Sequence, residues 1–540
     1  MNVIVLVNDT FRRDHVGCYG NTWIQTPNLD RFAQRAAIFD QYYAASYPTV
    51  PNRWDILSSR RFGFPTLGWQ PLNPGDVTWG QVMSRHGVHT QMIWDTPMLG
   101  SNDYNYTRGF QGVDFVHGQK GDSWITDPTL EIDLMAQPHK IKNVGSLVGY
   151  LRNHARRQYE REYCVGRTIS TAMDWLETNY RHKSFFLWVD MWDPHEPFDC
   201  PWYDYELYGD PGYEGDKFLY PEYGRPTYMT EEERNHLRAL YAGNVTLTDR
   251  WLGMFFDMAE RLGLFRDTMI IWVSDHGHLF GDHDLQGKPG AELGGLYEVT
   301  ARIPLLVYHP EGLGAGQRIS GLVQPPDLLP SMLDFLGKPI PDQIQGKSFW
   351  PLVVGETWDR EYAFSSRFPP AAGTPVGGTA FDGWVGSDRN VEPSTVSGDE
   401  WAYLASPTGL ESELYHLKSD PDQVKNVIGE HPEVAKKMRK AWLTFLEEHE
   451  ASESRTKPFL EAEVDVHTPA GGMLYAFRDD LGQWIAFSSE QEAHQAAYHE
   501  KAPGPKRSVE SVTFRKILND NPRNLVRLFG QYYWAEDLAK

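Results

Sequence analysis

The chain has 540 residues, a formal net charge of -22, and 41% hydrophobic and 13% aromatic residues. That length exceeds one simple core and points to a large domain with smaller satellites, and the composition excludes a disordered chain. The acidic balance excludes nucleic acid and anionic membrane as general partners. It leaves room for a small anionic substrate, because a bound cation reverses the potential inside a single cleft.

The first predicted element is a buried strand, Val3–Val7, which ends in Asn8-Asp9. It carries no basic leader or small-residue cleavage site, and no apolar stretch is long enough to span a bilayer. Cys18, Cys164 and Cys200 are too few and too scattered for a disulfide framework or a tetrahedral zinc site. A reducing compartment, the cytoplasm, is the expectation. A helical pattern over Asp30–Ala37 follows, then a Pro-rich turn, Ser46–Arg53, running into a helix from about Trp54. Thr168–Tyr180 reads as a helix and Phe185–Val189 as a strand, continued by Asp190 and, shortly after, His195. A long helix over Glu231–Leu262 leads to the strand Met269–Val273, closed by Ser274-Asp275-His276, and Pro304–Tyr308 is a fourth strand. Alternating strands and helices predict an α/β sheet with all four strands parallel, whose ligands gather beyond the carboxyl ends.

From Phe368 to Gly398, Gly, Pro, Ser and Thr mark a boundary or loop. A strand at Leu414–Leu417 and a helix at Glu433–His449 follow, and from Arg455 onward the chain mixes aromatics and charges without a chemical motif. That last stretch is assigned to packing or to contacts within a homo-oligomer.

Acidic residues at three strand ends converge on one crevice. Asp9, Asp275 and His276 offer hard oxygen and imidazole ligands, suited to calcium, magnesium, manganese or zinc. One divalent metal held there activates an otherwise inert alcohol, and Thr49, at a helix start with Arg53 nearby, is the nucleophile candidate. On its own Thr49 is an ordinary residue in a Pro-rich turn.

Its company carries a family resemblance. Asn8-Asp9-Thr10-Phe11-Arg12-Arg13-Asp14-His15-Val16-Gly17-Cys18-Tyr19-Gly20, with Thr26-Pro27-Asn28-Leu29-Asp30, resembles the opening of sulfatases. Thr49-Val50-Pro51-Asn52-Arg53 resembles their C/S-x-P-x-R signature apart from its first residue. Asp193-Pro194-His195-Glu196-Pro197-Phe198 is similar to their His-containing turn, and Ser274-Asp275-His276-Gly277 with Gly287-Lys288 to their second metal motif and its downstream lysine. The helix pattern Tyr241, Val245, Asp249 and Gly253 agrees, and the likeness spans roughly residues 1–450. The resemblance implies an α/β fold: an alkaline-phosphatase-like mixed sheet flanked by helices, with a smaller C-terminal α+β subdomain. The corresponding division is 1–370 catalytic, 371–455 subdomain and 456–540 extension. It also implies that Asp9, Thr49, Asp275 and His276 hold the metal and that Arg53 braces the nucleophile. His195 would bind the substrate or protonate the leaving group, and Lys288 would hold an oxygen of the transferred group.

Three departures redirect the substrate. Sulfatases convert Cys or Ser to formylglycine, and threonine cannot become that aldehyde, so no formylglycine is expected. A phospho-threonine, by contrast, is opened by in-line attack of water. Where sulfatases carry G-K-W-H, this chain has Asp95 in the lysine position and Pro97 in the histidine position. Less positive charge suits a phosphodiester or phosphonate monoester, and Asp95 is the candidate contact to a cationic or hydroxylated part of it. Thr10 replaces a second Asp, which disfavours calcium; a second metal on His278, His283 and Asp193 ranks below one. The readings kept open are a Thr-dependent phosphorus-ester hydrolase, a sulfatase that tolerates Thr, and a catalytically inactive binding protein.

Overall fold

The computed structural model describes residues 1–60, 71–100, 104–288, 296–367, 393–406 and 412–449, with short pieces beyond. Strands in the first half are β1 (Asn2–Asn8), β2 (Ala37–Phe39), β3 (Ser46–Tyr47), β4 (His89–Trp94), β5 (Gly112–Phe115), β6 (Phe185–Met191) and β7 (Thr268–Ser274). Then come β8 (Leu279–Phe280), β9 (Gln286–Gly287), β10 (Leu305–Tyr308), β11 (Arg318–Ile319), β12 (Ala363–Arg367), β13 (Ser394–Ser397), β14 (Trp401–Ala405) and β15 (Glu413–His416).

Eight of them form one sheet in the order β11-β2-β10-β7-β1-β6-β4-β5. β1 lies at its centre, parallel to both β6 and β7, and every residue of β1 is buried. Alternation sends Ile4 and Leu6 to one core and Val3, Val5 and Val7 to the other. Both faces are therefore apolar and covered by helices, which is why β1 reads as a continuous hydrophobic run. The Cys164–Asn179 and Glu231–Arg261 helices pack on the first face, and the Thr49–Ser58 and Leu328–Phe335 helices on the second.

The structure departs from the sequence expectation in four places. β10 pairs antiparallel with both β7 and β2, so the four predicted strands are not all parallel, and the sheet is mixed, as the family resemblance implies. Among the described residues between β7 and β10 the α-helix Glu298–Ala301 is too short to return the chain to the other edge. The first helix is Pro27–Ala33, and Ala37 opens β2. The second helix begins at Thr49, not near Trp54, with Pro51 in its first turn, where a missing N–H costs nothing. The predicted loop 368–398 contains β13; its residues 368–392 lie outside the described ones.

β13, β14 and β15 continue from β12 as a second sheet, which ends on β3 in parallel register, Arg367 opposite Tyr47. The Pro432–Glu448 helix packs on this sheet through Trp442 and Phe445. Beyond residue 470 the described backbone forms a separate five-stranded sheet between Met473 and Trp534. Among the described residues no helix is long and apolar enough to cross a membrane.

The i, i+4 stripe on the long helix has a mechanical use. Tyr241 donates its hydroxyl hydrogen to the Thr10 carbonyl at 2.7 Å and accepts from the Arg12 N–H at 3.0 Å. Asp249 accepts from the backbone N–H groups of Asn28 and Leu29 at 3.1 and 2.8 Å. Gly253 is where Asn28 packs: a Cβ there would lie 2.3 Å from Asn28 Cγ. The helix thus pins both ends of the loop that follows Asp9. Gly253→Ala is expected to destabilise the fold by about 1–3 kcal/mol through this overlap, measured by denaturant unfolding; an unchanged midpoint would show that Asn28 yields freely.

Candidate active site

Because β1, β6 and β7 run parallel, Asp9, Asp190 and Asp275 arrive at one edge of the sheet. The Thr49–Ser58 helix brings Arg53 into their midst. Its Nε donates to Asp190 Oδ2 at 2.9 Å, its Nη2 to Asp190 Oδ1 at 2.9 Å and its Nη1 to Asp9 Oδ2 at 2.9 Å. Nη1 also donates to Asp275 Oδ2, and all four side chains are fully buried. Burial opposes ionisation of Asp9, but Arg53, with His276 and Lys288, holds its carboxyl below the usual range.

His276 follows Asp275 and faces the same point. Its Nδ1 lies 2.8 Å from the Gly277 carbonyl, which accepts the ring proton and leaves the Nε2 lone pair toward the carboxylates. Nε2 is 3.6 Å from Asp9 Oδ1 and 3.5 Å from Asp275 Oδ2. Burial lowers the His276 pKa to about 3, so the ring is neutral, the form that ligates. One ligand atom from each of Asp9, Asp275 and His276 lies within 4.8 Å of the others, a fit for a hard divalent cation. The Thr49 hydroxyl is 3.2 Å from His276 Nε2, at the first residue of its helix. Thr10, in the left-handed region at φ 62°, donates its N–H to Asp275 Oδ1 at 2.9 Å and its hydroxyl to Asp9 Oδ1 at 2.7 Å. The residue that replaces a carboxylate orients the two that remain.

Lys288 is buried, not a surface lysine. Its Nζ donates to His195 Nε2 at 2.8 Å and to Glu196 Oε1 at 3.2 Å. His195 Nδ1 is committed to the Glu196 carbonyl at 2.6 Å, and burial beside Lys288 holds the ring neutral. Glu196 also accepts from the Tyr223 hydroxyl, and His278 Nδ1 lies 3.8 Å from its Oε2.

One expectation is corrected, and one arrangement that the sequence ranks below a single metal does not form. Asp95 is not presented to a substrate: it is fully buried, with Oδ1 accepting from the Trp192 N–H at 2.6 Å and Oδ2 from the Thr168 hydroxyl at 2.8 Å. Burial and the nearby Asp193 push its pKa well above the usual range. Nor does a second metal trio assemble among the described residues, for His283 stacks on Tyr297 at 3.6 Å and Asp193 accepts from Gln119 Nε2 at 2.8 Å. Asp190, Glu196 and Tyr223 are the site residues that sequence reasoning left without a role. Asp190 was already visible as a strand-end acid and Glu196 inside a motif; nothing local marks Tyr223.

Buried carboxylates and an imidazole around one hydroxyl, at the carboxyl edge of a mixed sheet, are the equipment of ester hydrolases of the alkaline-phosphatase-like class. The comparisons narrow this further: a Sulfatase family model matches residues 1–338, and the chain belongs to the sulfatase family as a hydrolase of ester bonds. Human arylsulfatase K is 26% identical over 472 residues, 80% of this chain and 80% of its own length. The crystal structure of the phosphonate monoester hydrolase of Agrobacterium radiobacter superposes with a TM-score of 0.65 at 21% identity, over 83% of this chain and 96% of that one. A protein solved with its substrate D-glucosamine-2-N,6-O-disulfate gives a TM-score of 0.62 at 19% identity, over 85% and 99%.

Asp95→Ala is expected to cost about 1–3 kcal/mol of stability by stranding the Trp192 N–H and the Thr168 hydroxyl, with KM unchanged. A raised KM at unchanged stability would return Asp95 to the substrate pocket.

Proposed function

We propose that the protein hydrolyses singly charged phosphorus esters, phosphodiesters or phosphonate monoesters, with Thr49 as nucleophile. The observation that carries this reading is the buried Thr49 hydroxyl at a helix start, 3.2 Å from His276 Nε2, on a side chain that cannot become an aldehyde. A phosphonate monoester hydrolase shares the fold, which supports the same reading.

Asp9, Asp275 and His276, with the Thr49 hydroxyl, would hold one divalent ion, Mn, Mg, Zn or Ca. Bound there, the ion lowers the proton affinity of the hydroxyl and polarises the ester. Thr49 Oγ attacks phosphorus, forming a P–O bond as the bond to the leaving oxygen breaks. Water then attacks phosphorus and returns the electron pair to Thr49. The free N–H groups of the helix's first turn favour the anionic transferred group. Lys288 holds a non-bridging oxygen, and His195, accepting from Lys288, fixes the direction of that ammonium. His195 Nε2 holds no proton of its own, so the leaving oxygen, which departs with the electron pair, takes a proton that the Lys288 ammonium passes through Nε2. The free state of Cys18, Cys164 and Cys200 supports the cytoplasm as the compartment.

A second reading, sulfuric ester hydrolysis, is favoured by the likeness to arylsulfatase K. Rates on aryl sulfate, phosphate monoester, phosphodiester and phosphonate monoester separate the two. The expected result is preference for the diester or phosphonate, with Thr49→Ala lowering kcat about 10⁴-fold or more and Thr49→Ser retaining partial activity. Sulfate preference by a protein whose Thr49 is chemically unmodified, verified by peptide mass, would establish the second reading instead. Chelation is expected to abolish turnover and re-addition of metal to restore it; full activity with no metal bound would overturn the metal assignment.

A further inference from the structure

Glu196 takes no part in the bond-making and bond-breaking steps, yet the fold buries it completely against the lysine that holds the transferred group. We propose that Glu196 is a specificity-determining residue: its negative charge turns the site away from doubly charged groups and toward esters with one negative charge on the group transferred. The proposal rests on the preceding section only for Lys288 as the holder of a non-bridging oxygen.

The turn after β6 fixes where this carboxylate sits. The Glu196 carbonyl accepts from Trp192 Nε1 at 2.9 Å and from His195 Nδ1 at 2.6 Å, which holds the residue's backbone beside the site. From there the side chain meets Lys288 with both oxygens, Oε1 at 3.2 Å and Oε2 at 3.4 Å from Nζ, and Oε1 also accepts from the Tyr223 hydroxyl. An ammonium has three N–H donors. One goes to His195 Nε2 at 2.8 Å and one to the Glu196 carboxylate, which among the described residues leaves Lys288 a single N–H for a substrate oxygen.

Hydrogen bonding alone does not call for a charge at this position. A glutamine oxygen would accept from the same Lys288 and Tyr223 donors, so what the carboxylate adds is a full negative charge in a buried, poorly screened setting. Burial raises the Glu196 pKa, and the charges of Lys288 and Lys120 act against that rise. The charge reaches the turn before Thr49: it acts on Tyr47, as do Arg367, Lys288 and Asp275, and the Tyr47 ring centre is 4.9 Å from that of His276. Coulomb repulsion scales with the charge on the group repelled, so a dianionic phosphate monoester loses about twice as much to Glu196 as a phosphodiester or phosphonate monoester does.

The test compares 4-nitrophenyl phosphate with methyl 4-nitrophenyl phosphate, which share a leaving group, on the metal-loaded full chain at about pH 8, where the monoester is a dianion. Glu196→Gln is expected to raise the kcat/KM of the monoester relative to the diester about 10-fold or more, and Glu196→Asp, which keeps the charge, to leave that ratio near its wild-type value. A role confined to holding Lys288 in place would lower both rates together, and the unchanged ratio would overturn the proposal. Binding gives a readout that does not depend on turnover: the calorimetric Kd of inorganic sulfate, a dianion, against that of methanesulfonate, a monoanion, neither of which carries an ester to be cleaved. Glu196→Gln is expected to tighten sulfate relative to methanesulfonate about 10-fold; equal ratios in the two proteins sink the role of Glu196. Should Glu196→Gln not fold, Tyr223→Phe, which removes a donor and leaves the carboxylate's charge less dispersed, is expected to widen the wild-type bias against sulfate about 3-fold, and an unchanged or narrowed bias counts against the proposal. If aryl sulfates prove to be the substrates, the phosphorus reading falls while the sulfate-to-methanesulfonate ratio still decides this one.

Discussion

One buried guanidinium organises the catalytic edge. Arg53 takes three carboxylates from three adjacent parallel strands, Asp9, Asp190 and Asp275, and does so from the helix whose first residue is Thr49. Three like charges at one sheet edge would repel without it, and a buried ion cluster that loses a partner is costly. The same contacts fix the helix against the sheet. Docking of the Thr49–Ser58 helix and neutralisation of the carboxylates beside it are thus one event.

Electrostatics around this cluster alternates in sign. Carboxylates meet Arg53 at the sheet edge, and Lys288 meets Glu196 beside them. A surface carrying excess negative charge therefore encloses a site where Arg53 and Lys288 offset two of four carboxylates, Asp9, Asp190, Asp275 and Glu196, and a divalent ion would offset the other two. That contrast is the physical reason net charge excludes polyanionic partners without excluding an anionic substrate.

How much of this was readable in advance follows from how far apart in the chain each cause lies. Asp9, Asp275, His276 and Thr49 were legible because each sits at a strand or helix end whose pattern is local. The direction of β10 was not, since it is set by pairing with β7 and β2, which a local pattern does not reveal. Asp95 was misread because its side chain is turned inward by Thr168, in a helix 73 residues away. The conformation of Thr10, and with it the aim of both carboxylates, depends on Tyr241 in the long helix.

The pairing of β3 with β12 couples the two sheets at a sensitive point. Ser46 and Tyr47, immediately before the Thr49–Ser58 helix, are the last strand of a sheet otherwise built from β12, β13, β14 and β15. The family match ends at residue 338, short of every other strand of that sheet. The heritable unit of this enzyme is accordingly longer than its recognisable signature. Recombination that exchanged the C-terminal part would also exchange the strand that pairs with Ser46 and Tyr47, so drift in the second sheet is constrained by where the Thr49–Ser58 helix must start.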